Sequence, residues 1–112
     1  MNIEDLDTLK LNTKSKVDDL MIPIVEDFKS SEELSQKELK DKWQSFQDNM
    51  NMYLYEIVWN TLLDYGVKEP NKRNSDIKVK RIVLQHVPNT FKYEIGNYYY
   101  TIIKPIVDKK SN

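Results

Sequence analysis

Residues 35–65 run without proline or glycine between a helix-start and a helix-stop signal, and they constrain the fold more than any other segment. Ser35-x-x-Glu38 is a capping box, in which each side chain accepts the other residue's free backbone N–H; Leu34 and Leu39 flank it as a hydrophobic staple. Gly66 stands where a helix commonly ends in a left-handed residue. A helix of that length is a rod of about 46 Å. A compact domain of this size has a radius of gyration of about 13 Å and a breadth of roughly 34 Å. The rod must therefore project, bend, or lie along an elongated domain.

Its apolar character changes halfway. The main stripe is Leu39, Trp43, Phe46, Met50, Leu54, Ile57, Val58 and Thr61. Opposite the first half lie Lys37, Lys40, Gln44, Gln47 and Asp48, a solvated face. Opposite the second half lie Met52, Tyr55, Trp59, Leu62 and Leu63. A helix apolar on two faces is covered on both, by its own domain or by a partner.

Upstream, residues 1–12 lack a clear period and read as an arm. Val17, Leu20, Met21, Ile24, Val25 and Phe28 then form a helical stripe. Pro23 lies off that stripe, and a proline there kinks or restarts the helix. A short connection at Ser30-Ser31 folds this first helix back, antiparallel, over the first half of the rod. By length it stops short of the second half.

Residues 67–76 are a polar linker, after which the period changes from 3.6 to 2. Phe91, Tyr93 and Ile95, then Gly96-Asn97, then Tyr98, Tyr100 and Ile102 match a hairpin with a type II′ turn. Its outer face carries Tyr99 and Ile103, joined by Ile82 and Leu84 under one register. Residues 77–87 are rich in β-branched side chains and supply a third strand, turned by Pro88-Asn89-Thr90. Two helical stripes compete with this reading: Val79, Ile82, Val83, His86 and Val87, and the tail from Phe91 to Ile106. Gly96-Asn97 and the tyrosine run weigh against the second. The expected fold is therefore α+β and a single domain over 1–112. It comprises an arm (1–12), a helical hairpin with one long central helix (13–66), the linker (67–76), and a three-stranded antiparallel β-meander (77–107). The meander's apolar face is expected to cover Met52, Tyr55, Trp59 and Leu62.

Hydrophobic residues at 39% and charged residues at 31% describe a globular chain. No stretch approaches the roughly 20 apolar residues of a membrane span, and the N-terminus has no apolar signal-like run. Cysteine is absent, which excludes disulfides, thiol nucleophiles and thiolate metal sites. A cytoplasmic location is expected. Alanine is also absent and lysine outnumbers arginine 15 to 2, a usage that fits AT-rich codons in a low-GC bacterium, its phage or a plasmid. Charge is divided: residues 1–65 carry 7 basic and 14 acidic side chains, and residues 66–112 carry 10 and 4. Either the halves face different partners, or they pack together and partly neutralise each other.

Catalytic chemistry finds little support. His86 is the single histidine, and its face depends on the strand register. The acidic pairs Asp18-Asp19, Glu26-Asp27 and Glu32-Glu33 are adjacent in sequence and diverge on a helix. Two glycines thirty residues apart build no phosphate-cradling loop. No catalytic, cofactor or metal residue is assigned, and no enzyme is expected. Lys68, Lys72, Arg73, Lys78, Lys80 and Arg81 form a basic run that suits a phosphate backbone. The unassigned part of the main stripe (Leu54, Ile57, Val58, Tyr65), with Tyr99 and Ile103, is the candidate protein interface. Met52, Tyr55, Trp59 and Leu63 are also interface-type residues, though the sheet competes for them.

The function expected from these readings is a non-catalytic protein-binding module, such as an inhibitor, immunity or accessory protein of a phage or other mobile element. The alternative is nucleic-acid binding through residues 68–81 and the hairpin. A homodimer through the long helix is a third arrangement.

Overall fold

The computed structural model describes residues 6–67 and 77–110, and every regular element in them is a helix. The elements are α1 (Leu6–Ser30), α2 (Gln36–Asp48), α3 (Met50–Asp64), α4 (Ile77–Tyr98), a π-helical turn (Tyr99–Ile103) and α5 (Lys104–Asp108). They form three rods in an up-down-up arrangement: α1, then α2 with α3, then α4 with the π turn and α5. Lys16 of α1 meets Asp64 at the end of α3, and Asp27 meets Lys42 near the middle of α2, so these rods are antiparallel. Lys10 to Lys14 lie beside Asn89 to Glu94, and Asp18 lies beside Tyr98, so α1 and α4 are parallel. The body measures 56 × 24 × 18 Å, with a radius of gyration of 16.7 Å. The long rod is thus accommodated by an elongated domain.

The three-stranded β-meander expected over 77–107 does not form; that segment is helical throughout, and the fold is all-α rather than α+β. The reason lies in burial. Val83, Val87, Phe91, Ile95, Ile103 and Val107 fall on one helical stripe and are all at least 95% buried. Each such side chain contributes about 1.5–3 kcal/mol on burial. A glycine inside a helix costs only about 1 kcal/mol, and β-branched residues a few tenths more. The stripe therefore outweighs the β-like local chemistry. Gly96 takes no positive φ, so the II′ turn that suggested a hairpin is absent. The supposed single hairpin face is divided: Phe91 and Ile95 enter the core, while Tyr93 and Tyr100 are exposed.

This stripe steps by four residues, and each step overshoots a full α-turn by about 40°. The wider turn at Tyr99–Ile103, closed by Lys104 N–H donating to the Tyr99 carbonyl, takes back part of that drift. Ile103 and Val107 are thereby returned to the core. Pro105, which has no N–H to give one turn back, is separated from the π turn by Lys104 alone.

α1 is longer than the stripe from Val17 suggested. It starts at Leu6, inside the stretch read as an arm, and Leu9 and Thr13 are buried. Pro23 is accommodated within it; Pro23 and Asp19, whose carbonyl loses its helical donor, are both exposed, where water can take the donor's place. With these extra turns α1 reaches the end of α3, and together with α4 it covers Ile57 and Thr61.

The capping box forms: Glu38 N–H donates to Ser35 Oγ, and Ser35 N–H to Glu38 Oε1, both at 3.2 Å. The rod is broken once, at Asn49, whose backbone (φ −99°, ψ 4°) leaves the helical region. Its side-chain amide donates to the Ser45 carbonyl at 2.9 Å, an alternative to the helical ladder. The far end is a Schellman motif. Gly66 has φ +84°, its N–H donates to the Leu63 carbonyl, and Val67 N–H donates to the Leu62 carbonyl. Leu62 and Val67 are both buried at this cap.

Candidate functional site

The absence of a sheet has a direct consequence for α3. Ile57 and Thr61 of its main stripe are buried in the core, and so is Leu62 of its second face. The rest of that second face, where the sheet was expected to cover Met52, Tyr55 and Trp59, remains open: Tyr55 is 73% exposed, Met52 53%, Leu63 45% and Trp59 36%. On α4, Leu84 and Ile77 are about half exposed as well.

Of these exposed side chains, Tyr55, Trp59 and Leu84 border a groove of about 480 Å³ along the α3/α4 seam. Asn51, Leu54, Tyr55, Val58, Trp59 and Leu62 form its α3 wall; Lys80, Leu84 and Pro88 form its α4 wall. Helical spacing explains the lining. Positions 51, 55, 58 and 62 fall on the flank of α3 that turns toward α4, and positions 80, 84 and 88 on the matching flank of α4. A shallower hollow continues past Lys80 and Leu84 to Ile77, Arg81 and Gln85. Among the described residues no carboxylate lines either surface. Lys80 and Arg81 make no ion pair among the described residues.

A second aromatic assembly lies at the other end of the molecule. Tyr99 stacks on Trp43 at 4.8 Å between ring centroids, Phe46 lies 4.9 Å from Trp43, and Phe28 meets Trp43 edge-on at 6.3 Å. Trp43 and Phe28 are buried, and Lys42 stands over the Phe28 ring. This cluster joins the three rods and is structural.

The residues singled out in the sequence are dispersed. Leu54 and Val58 line the groove, half-buried. Ile57 and Ile103 are core residues. Tyr65 is half-buried, and Tyr99 is held against Trp43. Of the basic run, Lys68, Lys72 and Arg73 lie outside the described residues, Lys78 is exposed near the start of α4, Lys80 lines the groove and Arg81 borders the adjoining hollow. His86 is half-buried on α4, its carbonyl accepting from Thr90 Oγ1. Among the described residues no three His, Asp or Glu side chains are placed to hold a metal ion. None of the described helices is long and apolar enough to cross a membrane.

The groove itself was partly visible in the sequence. Tyr55 and Trp59 carried an interface signal, but the sheet claimed both, and Leu84 was placed on the outer face of a strand that does not form. Pro88 was read as a turn residue, and only its place on a continuous helix puts it in the wall. Comparison of the chain with protein-family models, with curated proteins and with solved structures gave no match.

Proposed function

We propose that this protein is a non-catalytic protein-binding module whose partner seats in the α3/α4 groove. The observation that carries this reading is the uncovered second face of α3, with Met52, Tyr55, Trp59 and Leu63 exposed beside a formed groove. Tyrosine and tryptophan dominate binding hot spots because they offer a large rigid surface at low conformational cost. Burying two such rings removes on the order of 100–200 Å² of apolar surface from water, which favours association by about 3–5 kcal/mol before the cost of docking. An inhibitor, immunity or accessory role is a use of such a surface.

Lys80 and Arg81 belong to the basic run that suggested nucleic acid. Their position on the rim of an apolar floor favours carboxylates on a protein partner over a phosphate backbone, which is tracked by many cations and few apolar walls.

The test is affinity capture from a lysate of cells that carry the protein, with the wild-type chain and its Tyr55→Glu and Leu84→Glu variants as baits. A protein retained by the wild type and lost from both variants is the expected result. Identical capture by all three baits counts against the groove.

A further inference from the structure

We infer that the occupant of the groove is an amphipathic helix of about three turns with acidic residues on its flanks, supplied by another protein; this deepens the reading above and rests on it. The three rods are those of a four-helix bundle with one member missing. α3 and α4 are antiparallel neighbours that bury one face each against α1 and present a second apolar flank on the other side of their seam. A concave seam between two antiparallel helices is filled by the ridge of a further helix, whose side chains at i, i+3, i+4 and i+7 interdigitate with both walls. Its α3 wall runs from Asn51 to Leu62, about 17 Å along the axis, which sets the three-turn length.

Charge selects the occupant. The rim carries Lys80 and, beyond it, Arg81, and among the described residues no carboxylate lines the groove or the hollow beside it. Neither cation is paired among the described residues. A helix with glutamates or aspartates flanking its apolar stripe satisfies both, and like-charged flanks are rejected. Residues 68–76, which join α3 to α4, hold no large apolar side chain from which such a stripe could be built.

The experiment uses a displayed library of helical peptides of about 14 residues. Each peptide has one leucine-rich stripe, and Glu, Gln or Lys is randomised at the flanking positions. The library is selected on the full-length protein at low ionic strength. Glu-flanked peptides are expected to outnumber Lys-flanked ones by tenfold or more. Selection on a Lys80→Glu/Arg81→Glu double variant should reverse that preference, and selection on Leu84→Glu should lose enrichment of either class. Helical circular dichroism controls for folding of each bait, and Tyr55→Gln serves as the groove variant if Leu84→Glu does not fold.

Three results overturn the inference. One is no enrichment on the wild type, and another is equal enrichment of both charges. The third is a wild-type dimer in sedimentation that Leu84→Glu turns into monomers, which makes a second copy the occupant. Groove-dependent capture of a lysate protein without any acidic preference in the library removes the helix proposal and leaves the docking function standing.

Discussion

Tyr98 Oη donates a 2.6 Å hydrogen bond to Asp18 Oδ1, tying the last residue of α4 to the middle of α1 across eighty positions of sequence. The bond stabilises the neutral phenol, and burial and the negative charges of Asp18 and Glu94 act in the same direction, so the Tyr98 pKa is pushed up to about 12. The folded-state value lies above the ordinary tyrosine value of about 10. Its contribution to stability is therefore complete below pH 10 and is lost as pH rises from 10 toward 12. Tyr98→Phe should cost about 1 kcal/mol at pH 8. Urea unfolding of the two proteins should converge as pH approaches 12, and a gap unchanged across that range would contradict the assignment.

Tyr65 makes the opposite case. Its hydroxyl is buried and has no hydrogen-bond partner among the described residues. Removing an unsatisfied polar group recovers its desolvation cost. Tyr65→Phe should accordingly leave stability unchanged or raise it by up to about 1 kcal/mol, measured by chemical denaturation beside Tyr98→Phe.

The two glycines separate the helical fold from the hairpin that local sequence favours. Gly66 sits at φ +84° in the Schellman cap, so Gly66→Ala should destabilise by about 1–2 kcal/mol. Gly96 lies inside α4 with helical backbone, and an added Cβ meets nothing within 4 Å. Gly96→Ala should stabilise the protein by about 0.5–1 kcal/mol. In a II′ turn the same change would destabilise it, so the sign measured in a thermal or urea melt decides between the two structures.

That contrast explains how much of the fold could be read from the chain. The capping box at Ser35 and Glu38 and the Gly66 terminus are set by residues within a turn or two of each other, and both were legible; the single helix expected between them is instead two, parted at Asn49. The segment 77–107 was not legible, because its local chemistry and its long-range burial disagree. Phe91, Tyr93 and Ile95 alternate as in a strand, yet Val83, Val87, Phe91 and Ile95 also repeat every fourth residue. Only the presence of α1 and α3 on one side makes the second pattern the stronger. The same error carried the groove with it. Tyr55 and Trp59 were assigned a cover that does not exist, while Ile57 and Thr61 were left without the α1 and α4 that cover them.

Trp43 shows where the core is least replaceable. It is buried among Phe28 and Tyr99, one ring from each of the other two rods, and Phe46, its own neighbour on α2. Trp43→Ala should cost about 3–5 kcal/mol, a large share of the 5–15 kcal/mol that holds a domain of this kind together. Loss of a cooperative thermal transition, or a transition lowered by well over ten degrees, is the expected readout.

Tyr55 and Ile57 are two residues apart on α3, and they test whether its second face is spare. Ile57 is buried, and Ile57→Ala should destabilise by about 2–5 kcal/mol. Tyr55 is 73% exposed, and a substitution with no packing to lose changes stability by about 0.5 kcal/mol or less. Tyr55→Gln should therefore melt like the wild type while losing the groove-bound partner. A Tyr55→Gln protein destabilised as strongly as Ile57→Ala would mean that the chain itself covers this face, and the groove would then be part of its core.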